Sequence, residues 1–376
     1  MKPVRILLLI LCTCFASVAW SQQTTCKAHT PWAEFHRYSM QRSNPCEKVL
    51  DVNSVANLGV KWSYSAVAEV CSSPAVVNGV VYVGSDDYNV YALNASTGVK
   101  LWSFPTGYYI YSSPAVVNGV VYVGSFDHNV YALNASTGAK LWSYTTGGVV
   151  YSAPAVANGV VYVGSEDGKM YALSAETGAE LWSFTTAGSI DSSPAVVNGV
   201  TYVGSYDKNV YALNASTGSK LWSYTTGDAV YSSPAVANGV VYVGSKDGKV
   251  YALNAKTGSR LWKHATGSWV YSSPAVANGA VYVGSYDGKV YALNAKTGSK
   301  LWSYATGNLV ESSPAVANGV VYVGSHDQNV YALDARTGAK LWSYATGSYV
   351  DGSPVVANGV VYVGSADGNA YAFDLK

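Results

Sequence analysis

Short apolar runs alternate with polar turns along this chain, and the whole pattern returns every 40 residues. In the unit at 230–264, Val230-Tyr-Ser-Ser-Pro-Ala-Val-Ala leads into Asn238-Gly239 and then into Val240-Val-Tyr-Val-Gly-Ser. Asn-Gly between β-branched runs marks a two-residue hairpin, because a type I′ turn needs two successive residues at positive φ. Lys249-Val-Tyr-Ala-Leu follows Asp247-Gly248, and Arg260-Leu-Trp-Lys-His follows Thr257-Gly258. The unit therefore predicts four short antiparallel strands, labelled A to D in chain order.

The period decides the architecture. Trp recurs at 62, 102, 142, 182, 222, 262, 302 and 342, and residues 57–376 make eight units of 40. Strand A carries a proline in every unit, from Pro74 to Pro354. A central strand would lose a ladder hydrogen bond there, so strand A must be an edge. In a propeller the inner edge lines the axial channel, and the Ser-Ser pair before the proline in six units suits that crowded rim. Residues 58–65 match strand D with no A to C before them, and the last unit ends after strand C. The first strand is expected to complete the last blade and close the ring, which leaves no half-built blade as a sticky edge. The expectation is an all-β, eight-bladed propeller over 58–376, with blades at 70–104, 110–144, 150–184, 190–224, 230–264, 270–304 and 310–344. The eighth blade would join 350–376 to 58–65.

Ala252-Leu-Asn-Ala-Lys-Thr-Gly-Ser-Arg-Leu-Trp262 resembles the repeat of pyrroloquinoline quinone (PQQ) propellers, and the likeness runs over nearly all of 57–376. Trp32-Ala-Glu-Phe35 and Val60-Lys-Trp-Ser also resemble the opening segment of that family, whereas no Trp-Asp pair follows the WD40 pattern. The resemblance implies a fold shared by quinoprotein alcohol dehydrogenases and by non-enzymatic scaffolds of the BamB type. The dehydrogenases are larger and hold PQQ with calcium, a catalytic Asp and often an adjacent cysteine pair. None of their catalytic residues can be carried onto this chain, so the scaffold group is the nearer expectation. No cofactor is expected; PQQ with calcium belongs to the alternative, a minimal quinoprotein oxidoreductase.

Composition narrows the compartment and the partner. Lys2 and Arg5 precede an apolar run from Ile6 to Ala19, followed by small residues at signal-peptidase spacing, so residues 1–21 read as a secretory signal. The run is too short to span a bilayer. Lipoprotein anchoring is not expected, because Leu11 and Thr13 precede Cys12 and Cys14 where Gly or Ala is wanted. A periplasmic or secreted monomer follows, with an arm at 22–57 before the propeller. Without Lys2 and Arg5 the chain carries 21 basic and 22 acidic side chains, which gives no electrostatic pull toward nucleic acid or anionic lipid. Of the remaining cysteines, Cys26 and Cys46 share the arm and are the expected disulfide, with Cys71 left over; three free thiols are the alternative.

Repeated polar residues read as structure before chemistry. Asp87, Asp127, Asp167, Asp207, Asp247, Asp287, Asp327 and Asp367 open the B–C turns, and most have no second carboxylate beside them for a calcium loop. They read as turn braces, as do Asn94, Asn134 and Asn214, whose glycosylation sequons are incidental to that role. His29, His36, His128, His264 and His326 are scattered without metal-ligand spacing, so no metal site and no catalytic residue are expected.

Differences between near-identical units are more informative. They concentrate in the D–A connections and B–C turns, which emerge on one face. The D–A connections hold Tyr108, Tyr109, Trp269 and Tyr349, and strand A then opens with Cys71, Tyr111, Tyr151, Asp191, Tyr231, Tyr271, Glu311 and Asp351 in successive units. Tyr88, Phe126, Tyr206, Tyr286 and His326 join from the B–C turns. An aromatic rim with a few acids is what a binding surface uses. The expected function is a non-catalytic binding or scaffolding module that takes a protein or a glycan at this channel mouth.

Overall fold

Each repeat folds as one antiparallel four-stranded sheet, and eight such sheets form the ring in the computed structural model, which describes residues 32–37 and 40–376. Residues 1–21, expected to be a signal segment, and Cys26 lie outside the described residues. In the fifth blade the strands are Ala235–Ala237, Val240–Ser245, Lys249–Asn254 and Arg260–Ala265, in spatial order A-B-C-D. Asn78 and Gly79 take φ of 50° and 76°, the type I′ geometry read from the sequence.

The inner strand is shorter than expected. Strand A is three residues long in every blade, and the proline precedes it instead of lying within it. The Ser-rich lead-in is tied to strand B only by its first serine, as where Ser232 Oγ accepts the Gly244 N–H at 3.0 Å, and otherwise bonds sideways to the next blade. Ser193, Ser233 and Ser273 donate their backbone N–H groups to the hydroxyls of Ser233, Ser273 and Ser313, at 2.8–2.9 Å. Ser353 passes the same bond to Ser73, so this belt crosses the ring junction.

Strands B and C are buried on both faces, because every blade packs between two others. The cores lie between blades: Tyr122, Val130 and Ala132 of the second meet Val161, Val163 and Leu173 of the third. The repeat tryptophan clips neighbours together, as Trp102 Nε1 and the Tyr82 hydroxyl both donate to the Ala135 carbonyl, at 2.9 and 3.2 Å. Gly98 (φ +73°) lies under the preceding clip, where a Cβ would sit 2.8 Å from the Trp62 ring.

Ring closure is as expected. Leu58–Ser65 pairs antiparallel with Asn369–Leu375, from Leu58↔Leu375 to Ser65↔Asn369, outside Val360–Gly364 and Val355–Ala357. Lys61 and Asp374 add an ion pair at 2.8 Å. The seam loses one clip bond: Trp342 Nε1 reaches the Leu58 carbonyl at 3.0 Å, while the buried Tyr322 hydroxyl finds no acceptor.

The arm fills the lower channel. Its backbone serves the free edges of strand A in turn, with Trp32 pairing to Val76, and Val116, Val236, Val276 and Val316 donating to Ala33, Met40, Gln41 and Arg42. Ser43–Asn44 adds a parallel fifth strand beside Ala315–Ala317. Arg42 is fully buried and donates to the carbonyls of Phe35, Ser313, Pro314 and Pro354, with its guanidinium 4.3 Å from the Phe35 ring centre. Among the described residues, no helix is long and apolar enough to cross a membrane.

Candidate functional site

With the arm as its floor, the channel is a cup open on one face. The D–A and B–C segments meet on that face in each blade through one backbone bond, such as Tyr286 N–H to the Trp269 carbonyl at 2.9 Å. The turn Asp makes this shape rigid. Asp87 accepts the Asn89 N–H with one carboxylate oxygen, and the Tyr91 hydroxyl and Val67 N–H with the other. Both oxygens are thus occupied within the turn, as an Asx-type brace requires. Asn94 likewise accepts the N–H groups of Ser96 and Thr97.

A cavity of about 90 Å³ lies in the cup above Phe35. Its wall has two layers. The lower is the serine belt; the upper is Cys71, Tyr111, Tyr151, Asp191, Tyr231, Tyr271, Glu311 and Asp351, one residue per blade. The proline-led segments are in the same register in all eight repeats, which is why eight distant positions converge.

The upper layer divides into an aromatic and an acidic arc. Tyr111 stacks on Tyr151 with ring centres 5.5 Å apart and planes 8° from parallel, Tyr151 meets Tyr231 at 5.4 Å, and Tyr231 meets Tyr271 at 4.6 Å. Tyr286 continues the arc against Tyr271 and Trp269, and Phe126, Tyr109, Tyr108 and Tyr88 continue it at the other end. Trp269 and Tyr108, two and three residues nearer the rim, are each 43% exposed. Lys246 lies over the Trp269 ring at 4.5 Å, so the rim already holds one cation.

The acidic arc spans the seventh, eighth and first blades. Glu311 accepts the Tyr286 hydroxyl at 2.5 Å, His326 is hydrogen-bonded to Asp351, and Tyr349 donates to Glu69 at 2.9 Å while its ring stacks on His326. Burial raises the Glu311 pKa, and the Asp351 charge adds to the rise. For His326 burial acts downward, but the Asp351 hydrogen bond and the two carboxylates carry the pKa above its ordinary value. Burial, then the charges of Asp351, Asp86 and Glu69, push the Cys71 thiol far up, which favours its neutral form.

Asp191 stands apart, inside the aromatic arc. It is only 8% exposed, its Oδ1 has no hydrogen-bond partner, and burial followed by the Glu166 charge raises its pKa to about 7.

The structure thus brings Tyr111, Tyr151, Asp191, Tyr231, Tyr271, Glu311 and Asp351 to one cavity, and places Tyr108, Tyr109, Trp269 and Tyr349 on its rim. Cys46 is disulfide-bonded and Cys71 is free; Cys26, the expected partner, lies outside the described residues. Two features escaped the sequence reading. Phe35 forms the floor, although the arm has no repeat to compare it with. His326, expected to stand apart from other ligating groups, meets Glu311 of its own blade and Asp351 of the next.

The lining is ill-matched to PQQ. That quinone carries three carboxylates, whereas the cavity presents Asp191, Glu311 and Asp351 with no Lys or Arg. Like charges brought together cost binding energy, so PQQ would fit here only with a cation between its carboxylates and these acids.

An eight-bladed ring with a floored, aromatic and acidic mouth defines a propeller of the PQQ-repeat class. The chain belongs to the PQQ-repeat family described as outer membrane protein assembly factor BamB, whose model matches residues 56–108, 106–190, 171–269 and 266–376. No curated protein matches it in sequence. Solved structures share the fold. A europium-containing methanol dehydrogenase superposes with a TM-score of 0.82 at 15% identity, over 92% of this chain and 98% of that one. The quinohemoprotein alcohol dehydrogenase from Comamonas testosteroni gives 0.81 at 18%, over 92% and 80%. BamB from Moraxella catarrhalis gives 0.74 at 22%, over 85% and 98%.

Proposed function

We propose that this chain is an exported, non-catalytic binding module that captures a partner protein at its channel mouth, acting as a monomer. The contiguous aromatic arc ending in the exposed Trp269 and Tyr108 carries this reading, because large rigid aromatics anchor interfaces. The description of the family as an assembly factor favours a protein over a glycan as the occupant. The quinoprotein alternative draws on fold likeness, and the cavity offers the quinone no basic side chain.

Capture of envelope proteins by the immobilised full chain tests the reading. Trp269→Ala and Tyr109→Ala should each weaken capture of the same partner by about 2 kcal/mol, roughly thirtyfold. Lys256→Ala, on the opposite face, should leave capture intact. Equal loss from both faces, or alcohol-dependent dye reduction that requires added PQQ and calcium, would overturn it.

A further inference from the structure

Around the mouth, each junction between blades assembles three side chains by one rule. They are the residue that opens the strand A lead-in, the residue before the turn Asp in the same blade, and the lead-in residue of the next blade. Ring contacts show the rule at Tyr111, Phe126 and Tyr151, where all three members touch. It also joins Tyr286 to Tyr271 and to Glu311. Most junctions fill the trio with aromatics or with one or two acids. The junction between the seventh and eighth blades fills it with Glu311, His326 and Asp351, three metal-ligating side chains whose donor atoms all lie within 4.8 Å of one another. Among the described residues no other such trio occurs.

We infer that Glu311, His326 and Asp351 form a binding site for a divalent first-row transition metal ion of the zinc class. His326 Nε2 stands 3.9 Å from Glu311 Oε2 and is hydrogen-bonded to Asp351 Oδ1. Donors about 2.0–2.2 Å from a zinc ion stand roughly 3–3.5 Å from each other, so small side-chain movements convert this arrangement into a coordination shell. The ion takes the place of the proton that now joins His326 to Asp351.

Outer contacts hold two of the donors in place. The Tyr286 hydroxyl is bonded to Glu311 Oε2 at 2.5 Å, and the Tyr349 ring stacks on His326 with centres 4.9 Å apart and planes 24° from parallel. Such second contacts orient ligating groups and raise metal affinity. No Lys or Arg lines the cavity to compete for the carboxylates. The imidazole nitrogen selects the chemical class, since calcium and magnesium take oxygen donors while zinc, nickel and copper favour imidazole. Three protein ligands leave a coordination position open, as in zinc sites that keep a fourth position for water or a ligand. The inference stands on this junction alone and does not depend on the partner-capture reading.

The test is calorimetric titration of the chelator-stripped full chain with zinc, alongside the visible spectrum of its cobalt complex. One ion per chain, a raised melting temperature and cobalt bands changed by His326→Ala are expected. His326→Ala and Asp351→Asn should each weaken zinc binding at least tenfold, whereas His128→Ala should not change it. His326→Ala is safe for the fold, because Ala366 occupies the same position in the next blade. No stoichiometric binding, or zinc binding unchanged in His326→Ala, would overturn the site. Calcium binding as tight as zinc would overturn the assigned class.

Discussion

On one face of the ring, the A–B turn of every blade is Asn-Gly and seven C–D turns are Thr-Gly, with Lys256, Lys296 and Arg336 projecting beside them. On the other, the D–A connections run from Gly148-Val149 to Ser268-Trp269, and the residue before each turn Asp is an acid, Phe, Tyr, Lys, His or Ala. Both faces are made by the same eight repeats. The difference shows where the fold places its constraints. Clips, serine belts and braced Asp turns sit at the same positions inside each blade, so the residues between them on the mouth can vary while the ring keeps its frame.

Removing residues 1–65 tests the frame most severely, since it takes away the closing strand and the channel plug together. The melting temperature followed by circular dichroism should fall by more than about 10 °C, a loss of several kcal/mol for a domain of this size. A truncated chain that melts with the full one would break the closure model.

A tryptophan from each class sharpens the contrast. Trp102→Ala removes a clip and opens a cavity, at a cost of about 3 kcal/mol in urea unfolding. Trp269→Ala on the mouth should stay within about 0.5 kcal/mol of the parent. Equal losses would mean that the rim is part of the frame.

Asp191 is a mouth residue with a price attached to its ionised form. Its native pKa is raised to about 7 from 3.8, so the native state holds the proton more tightly than the unfolded chain does. The stability it contributes is complete below pH 3.8 and is lost as pH rises through about 7. Asp191→Asn should match the parent at pH 4 and exceed it at pH 7 by on the order of 4 kcal/mol in parallel thermal melts. Identical pH profiles would remove the burden assigned to this carboxylate.

The smallest effect lies in the B–C turns. Tyr88, His128, Lys208 and Gln328 hold φ of 72–75° where the other four blades have Gly. Gln328→Gly relieves that left-handed strain and should raise stability by about 0.5 kcal/mol by chemical denaturation. A loss instead would show that the side chain contributes packing there.

The ring was legible because one period governs everything in it. Trp102 and its seven counterparts, the Asn-Gly hairpins and the orphan strand at Leu58–Ser65 suffice to count and close the blades. The converging Tyr111, Tyr151, Tyr231 and Tyr271 were legible for the same reason, since equal register puts equivalent residues at equal depth. The plug was not. Trp32, Phe35 and Arg42 bond to blades far away in sequence, and no repeat reports on them. Neither was the meeting of His326 with Glu311 and Asp351, which crosses from one unit into the next; reading each B–C turn against the following lead-in would have exposed it. The three-residue strand A was overestimated because its lead-in looks extended but meets strand B through a serine hydroxyl and bonds otherwise to the neighbouring blade.

The seam between Leu58–Ser65 and Asn369–Leu375 also sets an order of assembly. Seven blades draw all four strands from one contiguous stretch and can form as soon as that stretch is free. The eighth needs a strand made at the start of the ring, which must stay unpaired while the others form. Contacts between such distant segments form slowly. Until they do, the chain is an open arc with two raw edges, the state in which a repeat protein is most prone to pair with the wrong copy. Joining the ends therefore makes the fold cooperative from first strand to last, and guards an array of near-identical blades against exchange with its neighbours.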